Sequence, residues 1–172
     1  RVELVVDSRR WMSTGWNPVA RLGSGPRVVV CAHIDAKKGS PGAVDNGGGA
    51  VILLLLAELL RSHSGAPEVE IVAFNGEDYF ATPGQLRWLE LDRGEVSLVI
   101  NIDGVGYVGG ETAWSVYGVS DAVEGVVREA FAALVEGPRW VQGDHSIFVQ
   151  RGVPAVALTT TAFEEAWTAI RH

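Results

Sequence analysis

The sequence predicts an α/β sandwich built on a mostly parallel or mixed sheet. Two observations carry this expectation. Short β-branched runs alternate along the chain with segments of helical character. The composition, 47% hydrophobic and 20% charged over 172 residues, suits one domain with a real core and is unlike a disordered tail.

The elements follow in order. Arg1–Asp7 (RVELVVD) reads as a strand and Trp16–Leu22 as a weaker one, closed by a turn at Gly23-Ser-Gly-Pro26. Arg27–Cys31 (RVVVC) is a short β-branched run of the kind found in buried strands. A Lys/Gly/Ser/Pro loop over Ala36–Gly42 leads to a helix from about Asn46 to His63. Asp45 and Asn46 are its candidate N-caps, and Gly65 and Pro67 stop it. Its first half is apolar nearly all round, which predicts a buried helix. Glu68–Phe74 is the next strand, Asn75–Pro83 a loop, and Gly84–Leu91 a short helix. Val96–Ile102 and Thr112–Tyr117 are strands, and Ser120 or Asp121 caps a helix to about Val135. Val153–Leu158 is the last strand, and Thr161–Ile170 fits a loop or a short helix.

Charge and cysteine content narrow the function. Lys+Arg number 14 against 21 Asp+Glu, a formal net charge of −7. That is the wrong sign for a nucleic-acid partner or an anionic membrane surface. The longest apolar run, Ala50–Ala57, is too short to span a bilayer. Cys31 is the one cysteine, so any metal site must be built from His and carboxylates. A lone cysteine sets no compartment, and secreted and cytoplasmic locations both stay open.

In open α/β sheets the functional loops lie beyond the carboxyl ends of the strands. Polar residues collect at those positions here. His33-Ile-Asp35 follows the strand RVVVC, and Asp45 enters the long helix. Glu77-Asp78 follows EVEIVAF, Asp103 ends VSLVINI, and the sequence closes on His172. Zinc is held by His nitrogens and Asp/Glu oxygens. Two such ions about 3.5–4 Å apart share a bridging carboxylate and need about one His and one more carboxylate each. His33, His172, Asp45, Asp78 and Asp103 meet that count. Glu77 is left over beside a ligand, where a general base must stand. Asp35 is placed to accept the ring N–H of His33, the usual outer partner of a metal-bound His. Singly, each residue has a plainer reading. Asp45 fits a helix N-cap, Glu77-Asp78 a solvated loop pair, and His172 a frayed end. Their common position at strand ends is what favours a metal site. His63 suits a helix C-terminus electrostatically. Trp114, Trp140 and Trp167 fit core packing better than an apolar side-chain pocket.

Five spaced motifs are similar to those of the M28 zinc aminopeptidases, a family that includes bacterial leucyl-type enzymes. They are His33-Ile-Asp35, Ser40-Pro-Gly-Ala-Val-Asp45-Asn46-Gly-Gly-Gly49, Phe74-Asn-Gly-Glu77-Asp78, Asn101-Ile-Asp103, and Gly143-Asp-His145-Ser-Ile-Phe148 with Gly152-Val-Pro154. The likeness runs from about Asn17 to His172. It implies a three-layer sandwich of the zinc-exopeptidase type, with a mostly parallel mixed sheet flanked by helices. It implies two zinc ions per chain, bridged by Asp45. His33 and Asp103 would complete one ion, Asp78 and His172 the other, with Glu77 as general base. It places His145 in a loop near the substrate cleft, and His145 is the alternative ligand to His172.

There are departures from the family pattern. The acidic pair is usually Glu-Glu and here is Glu77-Asp78. The Ser often found after Asp-Asn is replaced within Gly47–Gly49. The helical segment before the first strands and the Thr and closing helix after the last His are not in the sequence. Residues 1–172 are therefore expected to be a single metallopeptidase catalytic domain lacking terminal segments. The expected activity is removal of N-terminal residues from a peptide substrate. The rival readings are a one-zinc glutaminyl cyclase-like acyltransferase, a related di-zinc carboxypeptidase or dipeptidase, and a non-catalytic peptide-binding domain on this scaffold.

Overall fold

A computed structural model describes residues 2–9, 12–79, 81–91 and 94–170. Seven strands form one sheet: β1 (Val19–Leu22), β2 (Arg27–His33), β3 (Glu68–Phe74), β4 (Val96–Ile102), β5 (Thr112–Tyr117), β6 (Val135–Glu136) and β7 (Ala155–Thr160). Their order across the sheet is β1-β3-β2-β4-β7-β5-β6. The central β3, β2, β4 and β7 run parallel, while β1 and β5 join antiparallel to β3 and β7. This is the mixed, mostly parallel sheet that the sequence predicts.

The period of two along β2 explains the layering. Val29 and Cys31 point into a cluster with Val72, Phe74, Val99, Trp88 and Phe148. Val30 and Ala32 point the other way, onto Leu53, Ile71, Ile102 and Val105. Trp88 comes from α2 (Pro83–Leu91) and Phe148 from α4 (Asp144–Gln150), which cover the first face. Leu53 comes from α1 (Gly48–Leu59) on the second. That second face continues under α3 (Asp121–Ala130), whose Val127 meets Trp114, Val116 and Val156. Both sheet faces are thus covered by helices, which is why the β2 run is apolar at successive positions.

Several expectations need correction. Residues 2–7 form no strand; Val2, Leu4 and Val6 are exposed because no neighbouring strand takes up their backbone groups. Arg1 lies outside the described residues. The first helix is shorter than Asn46–His63. It spans Gly48–Leu59 and is preceded by a wide turn over Ala43–Gly47, in which Asp45 (φ −117°, ψ 85°) and Asn46 (φ −136°, ψ 44°) are not helical. The peptide bond between them is cis. The helix is also not buried all round. Gly49 and Leu53 face the sheet, whereas Leu54, Leu55 and Leu59 are 72%, 65% and 77% exposed. α3 ends at Ala130 rather than Val135, β1 starts at Val19, and the last strand shifts to Ala155–Thr160. α5 (Phe163–Ile170) decides the choice between loop and helix at Thr161–Ile170. α4 occupies the stretch expected to be a loop around His145. No helix among the described residues is long and apolar enough to cross a membrane.

Candidate metal centre

Register brings the site together. His33 ends β2 opposite Phe74, the last residue of β3, and the Ile34 N–H donates to the Phe74 carbonyl at 2.8 Å. The next four residues of that strand end are Asn75-Gly76-Glu77-Asp78. β4 ends at Ile102, and the Asp103 N–H donates to Leu158 O of β7 at 3.0 Å. Three parallel strands therefore stop together and deliver His33, Glu77-Asp78 and Asp103 to one edge.

Asp45 comes from the turn before α1. Asn46, buried, does the anchoring there: its Oδ1 accepts the Gly49 N–H at 3.1 Å and its Nδ2 donates to Ile102 O at 2.8 Å. Asn46 thus satisfies a first-turn N–H of α1. The carboxylate of Asp45 is left for the site, with Oδ1 2.9 Å from His33 Nε2. Asp103 Oδ1 lies 3.3 Å from the same nitrogen and Glu77 Oε2 4.0 Å. Ligand atoms of His33, Asp45 and Asp78 all lie within 4.8 Å of one another.

Asp35 does more than face His33. Its Oδ1 accepts the N–H groups of Gly76 (2.8 Å) and Glu77 (3.1 Å), and its Oδ2 that of Asp78 (3.1 Å). The His33 Nδ1–H donates to the Asp35 backbone carbonyl at 3.0 Å, closer than the carboxylate at 3.6 Å. The side chain expected to orient the ring mainly orients the loop that carries Glu77 and Asp78.

Electrostatics reflect a crowd of carboxylates. Burial disfavours a charged His33 ring, but the carboxylates of Asp103, Asp35 and Asp45 outweigh it and raise its pKa strongly. Burial also opposes the Asp35 anion, yet His33 and the Gly76 and Glu77 N–H groups draw it down to about 2. Burial and then the Asp103 charge push Glu77 up to about 7. Burial and then Asp45 raise Asp78.

The donor set fits a cation such as zinc. Asp78 Oδ2 is buried without a hydrogen-bond partner, and His33 Nε2 is buried facing the carboxylates of Asp45 and Asp103. Buried polar atoms without partners are costly, and a shared cation is what satisfies a nitrogen and a carboxylate oxygen at once. His172 lies outside the described residues. His145 is in the interior: its Nε2–H donates to Trp140 O (2.9 Å), and its Nδ1 stands 3.4 Å from the Asn101 amide nitrogen, which donates to it. Cys31 Sγ in turn donates to Asn101 Oδ1 at 3.5 Å. Burial lowers the His145 pKa, and both ring nitrogens have protein partners. Trp114 is core, as expected. Trp140 packs against Phe163, with ring centroids 3.8 Å apart and planes tilted by 47°. The Trp167 side chain lies outside the described residues. His63 is beside the amino-terminal start of β3, away from the candidate site, bonded to Pro67 O.

Two residues were not legible as site neighbours. Asp144 is 1% exposed with neither carboxylate oxygen hydrogen-bonded, and burial raises its pKa well above the ordinary range. Asn101 was visible only as part of Asn-x-Asp. Both stand inside the spaced motifs, but no local signal marks either as buried.

The model of peptidase family M28 matches residues 17–170. The chain belongs to peptidase family M28. Among curated relatives, aminopeptidase YwaD of Bacillus subtilis (strain 168) is 36% identical over 93 residues, 51% of this chain and 19% of YwaD. Leucine aminopeptidase 2 of Trichophyton equinum is 27% identical over 169 residues, 87% of this chain and 34% of that protein. The chain therefore spans about a third or less of the length of these relatives. Among solved structures, the zinc aminopeptidase BSAP of Bacillus subtilis superposes with a TM-score of 0.66 at 24% identity, over 84% of this chain and 39% of that one. The glutaminyl cyclase of Porphyromonas gingivalis superposes with 0.69 at 22% identity, over 84% and 61%. At these identities the structural likeness speaks for the shared fold.

Proposed function

We propose that this M28 chain is the catalytic domain of a two-zinc aminopeptidase that removes N-terminal residues from peptides. The observation that carries this reading is the convergence of His33, Asp45 and Asp78, with Asp78 Oδ2 buried and unpartnered and Glu77 4.0 Å from His33. His33 and Asp103 are proposed to hold one ion, Asp78 and His172 the other, and Asp45 to reach both. Zinc in this set supplies a Lewis acid for the scissile carbonyl and lowers the pKa of a water.

The chain's own residues do the rest. Glu77 takes the proton of the attacking water on a carboxylate oxygen and returns it to the leaving amine nitrogen. Asp35 keeps Glu77 and Asp78 at a fixed separation through its three backbone hydrogen bonds. The carboxylates around the site favour a substrate that presents an α-ammonium group.

Two experiments test this. In Glu77→Gln the carboxylate that accepts the proton is gone, so turnover of leucyl substrates is expected to fall by 100-fold or more, in line with general-base contributions of about 10²–10⁴. Zinc content by mass spectrometry should remain near two per chain. Near-normal activity in that variant overturns the base assignment. One zinc per chain together with cyclisation of N-terminal glutamine would replace the peptidase by the cyclase-type acyltransferase that shares its fold.

A further inference from the structure

Three buried polar side chains from three elements meet at the loop over residues 137–143: Asn101 of β4, Tyr117 of β5 and His145 of α4. Tyr117 and His145 converge on one main-chain unit of that loop. The Trp140 N–H donates to Tyr117 Oη, and the Tyr117 O–H donates back to Trp140 O at 2.6 Å. The same carbonyl accepts His145 Nε2–H at 2.9 Å. Both main-chain groups of an irregular segment are thus held by interior side chains.

These partners fix the chemistry of the ring. A carbonyl only accepts, so His145 carries its proton on Nε2 and Nδ1 is left as an acceptor. The Asn101 Nδ2 group is the matching donor at 3.4 Å, and Asn101 Oδ1 is turned to the Cys31 thiol. Burial lowers the His145 pKa, in keeping with a neutral ring. The Tyr117 ring packs on the imidazole with centroids 4.6 Å apart.

Gly143 connects this network to the candidate metal centre. Its φ of 99° and ψ of 170° lie in a region open essentially to glycine alone. A Cβ there would stand 3.3 Å from Asn101 Nδ2 and from His145 Nδ1, and 3.5 Å from Asp103 Oδ2. Gly143 is therefore seated between the His145–Asn101 pair and the Asp103 carboxylate, whose other oxygen faces His33 Nε2 at 3.3 Å.

We propose that His145 is a positioning residue of the metal centre: by tying Trp140 to Asn101 it seats Gly143 against Asp103 and so aims that carboxylate at His33. This rests on the metal-centre reading and assigns that site a further residue. His145 binds no ion itself; it acts through Gly143 and Asp103. Groups behind a ligand change metal affinity by about 10–100-fold when removed.

The test compares the native chain with His145→Phe, which keeps the ring packing and loses both polar contacts, and with His145→Gln, whose amide keeps a donor for the Trp140 carbonyl. Zinc titration against a chromophoric chelator should resolve two affinities. In His145→Phe one of them should weaken by about 10–100-fold with the other unchanged, and His145→Gln should recover most of the loss. Tyr117→Phe removes the second hold on Trp140, so it should weaken the same ion, and it stands in where His145→Phe does not fold. The metal-free protein gives a readout apart from zinc. Imidazole nitrogen spectra should show a neutral ring protonated at Nε2. The Trp140 N–H should exchange with solvent about three- to tenfold faster in His145→Phe, the scale of one hydrogen bond. Unchanged zinc affinities in His145→Phe, or an equal loss of both, overturn the positioning role. Complete loss of one ion in His145→Phe and His145→Gln alike makes His145 a ligand and overturns it too. A native chain that binds no zinc yet shows both metal-free signatures sinks the metal-centre reading and sustains the His145 tie; without those signatures the tie falls as well.

Discussion

Three ionisable residues, two of them buried, carry the predictions at residue scale. The first is His33. Its surrounding carboxylates raise its pKa strongly, so a metal bound at the proposed site would have to displace its proton. The sign follows directly: a group with a raised pKa holds its proton more firmly as pH falls, so zinc binding weakens towards acid. One displaced proton predicts a loss of about tenfold in affinity per pH unit. Competition titrations with a chromophoric chelator between pH 6 and 8 measure it, and a pH-independent affinity contradicts it. The second is Asp35. Asp35→Ala leaves three loop N–H groups without their acceptor, so it should disturb Glu77 and Asp78 together. Loss of kcat is then expected to accompany loss of metal, whereas Glu77→Gln loses kcat alone. The third is Asp144, buried with neither carboxylate oxygen hydrogen-bonded. Its folded-state pKa lies above the unfolded one, so its contribution to stability is present below the unfolded value near pH 4 and is lost as pH rises. Asp144→Asn removes that titration. In metal-free protein the variant should melt several degrees higher at pH 7, and the gap should close near pH 3. Those shifts correspond to about 1–2 kcal/mol. An unchanged gap at both pH values would show that the carboxyl is not what strains the fold.

At the scale of elements, α1 shows how a segment can be right in kind and wrong in orientation. Its near-continuous apolar sequence hides which residues face the sheet, because hydrophobic periodicity carries no phase when every position is apolar. Tertiary packing supplies the phase: Leu53 is 3% exposed against β2 and β3, and Leu54 is 72% exposed. Leu53→Ala should therefore cost about 2–5 kcal/mol and Leu54→Ala under about 0.5. Urea unfolding of the two variants gives a direct contrast, and similar midpoints would contradict this orientation. The wide turn ahead of the helix follows the same logic. Asp45 and Asn46 both read as caps, since each side chain can accept a first-turn N–H. In the fold Asn46 takes that part and Asp45 turns its carboxylate to His33.

At the scale of the whole molecule, a metal bound at the proposed site would couple to folding. Several carboxylates are held at one edge of the sheet, and bound cations relieve their mutual repulsion. Zinc at a hundredfold over its dissociation constant would stabilise the native state by about 2.7 kcal/mol. For a domain of this size that corresponds to roughly 5–10 °C in melting temperature, lost on chelation. Scanning calorimetry with and without a chelator checks this.

The sequence by itself determined the fold class and the order of most elements, and it offered the candidate site residues. Local signals are enough for these: β-branched runs, turn residues and polar residues at strand ends are all short-range features. Strands β4 and β5 are bounded in the structure as their sequences predict. Residues 2–7 failed because a strand is stabilised by its neighbour, and a β-branched run does not state whether a neighbour exists. The tertiary structure alone decided which polar residues meet. His33, Asp78 and Asp103 are far apart in sequence and become neighbours only when β2, β3 and β4 pair in register. His145 shows the converse. It follows an acidic residue in a conspicuous motif, yet Asn101 and Trp140 engage both its nitrogens. Whether a histidine holds a metal or a hydrogen bond depends on what its ring nitrogens face. Pairing and packing set that, through contacts between residues distant in the chain.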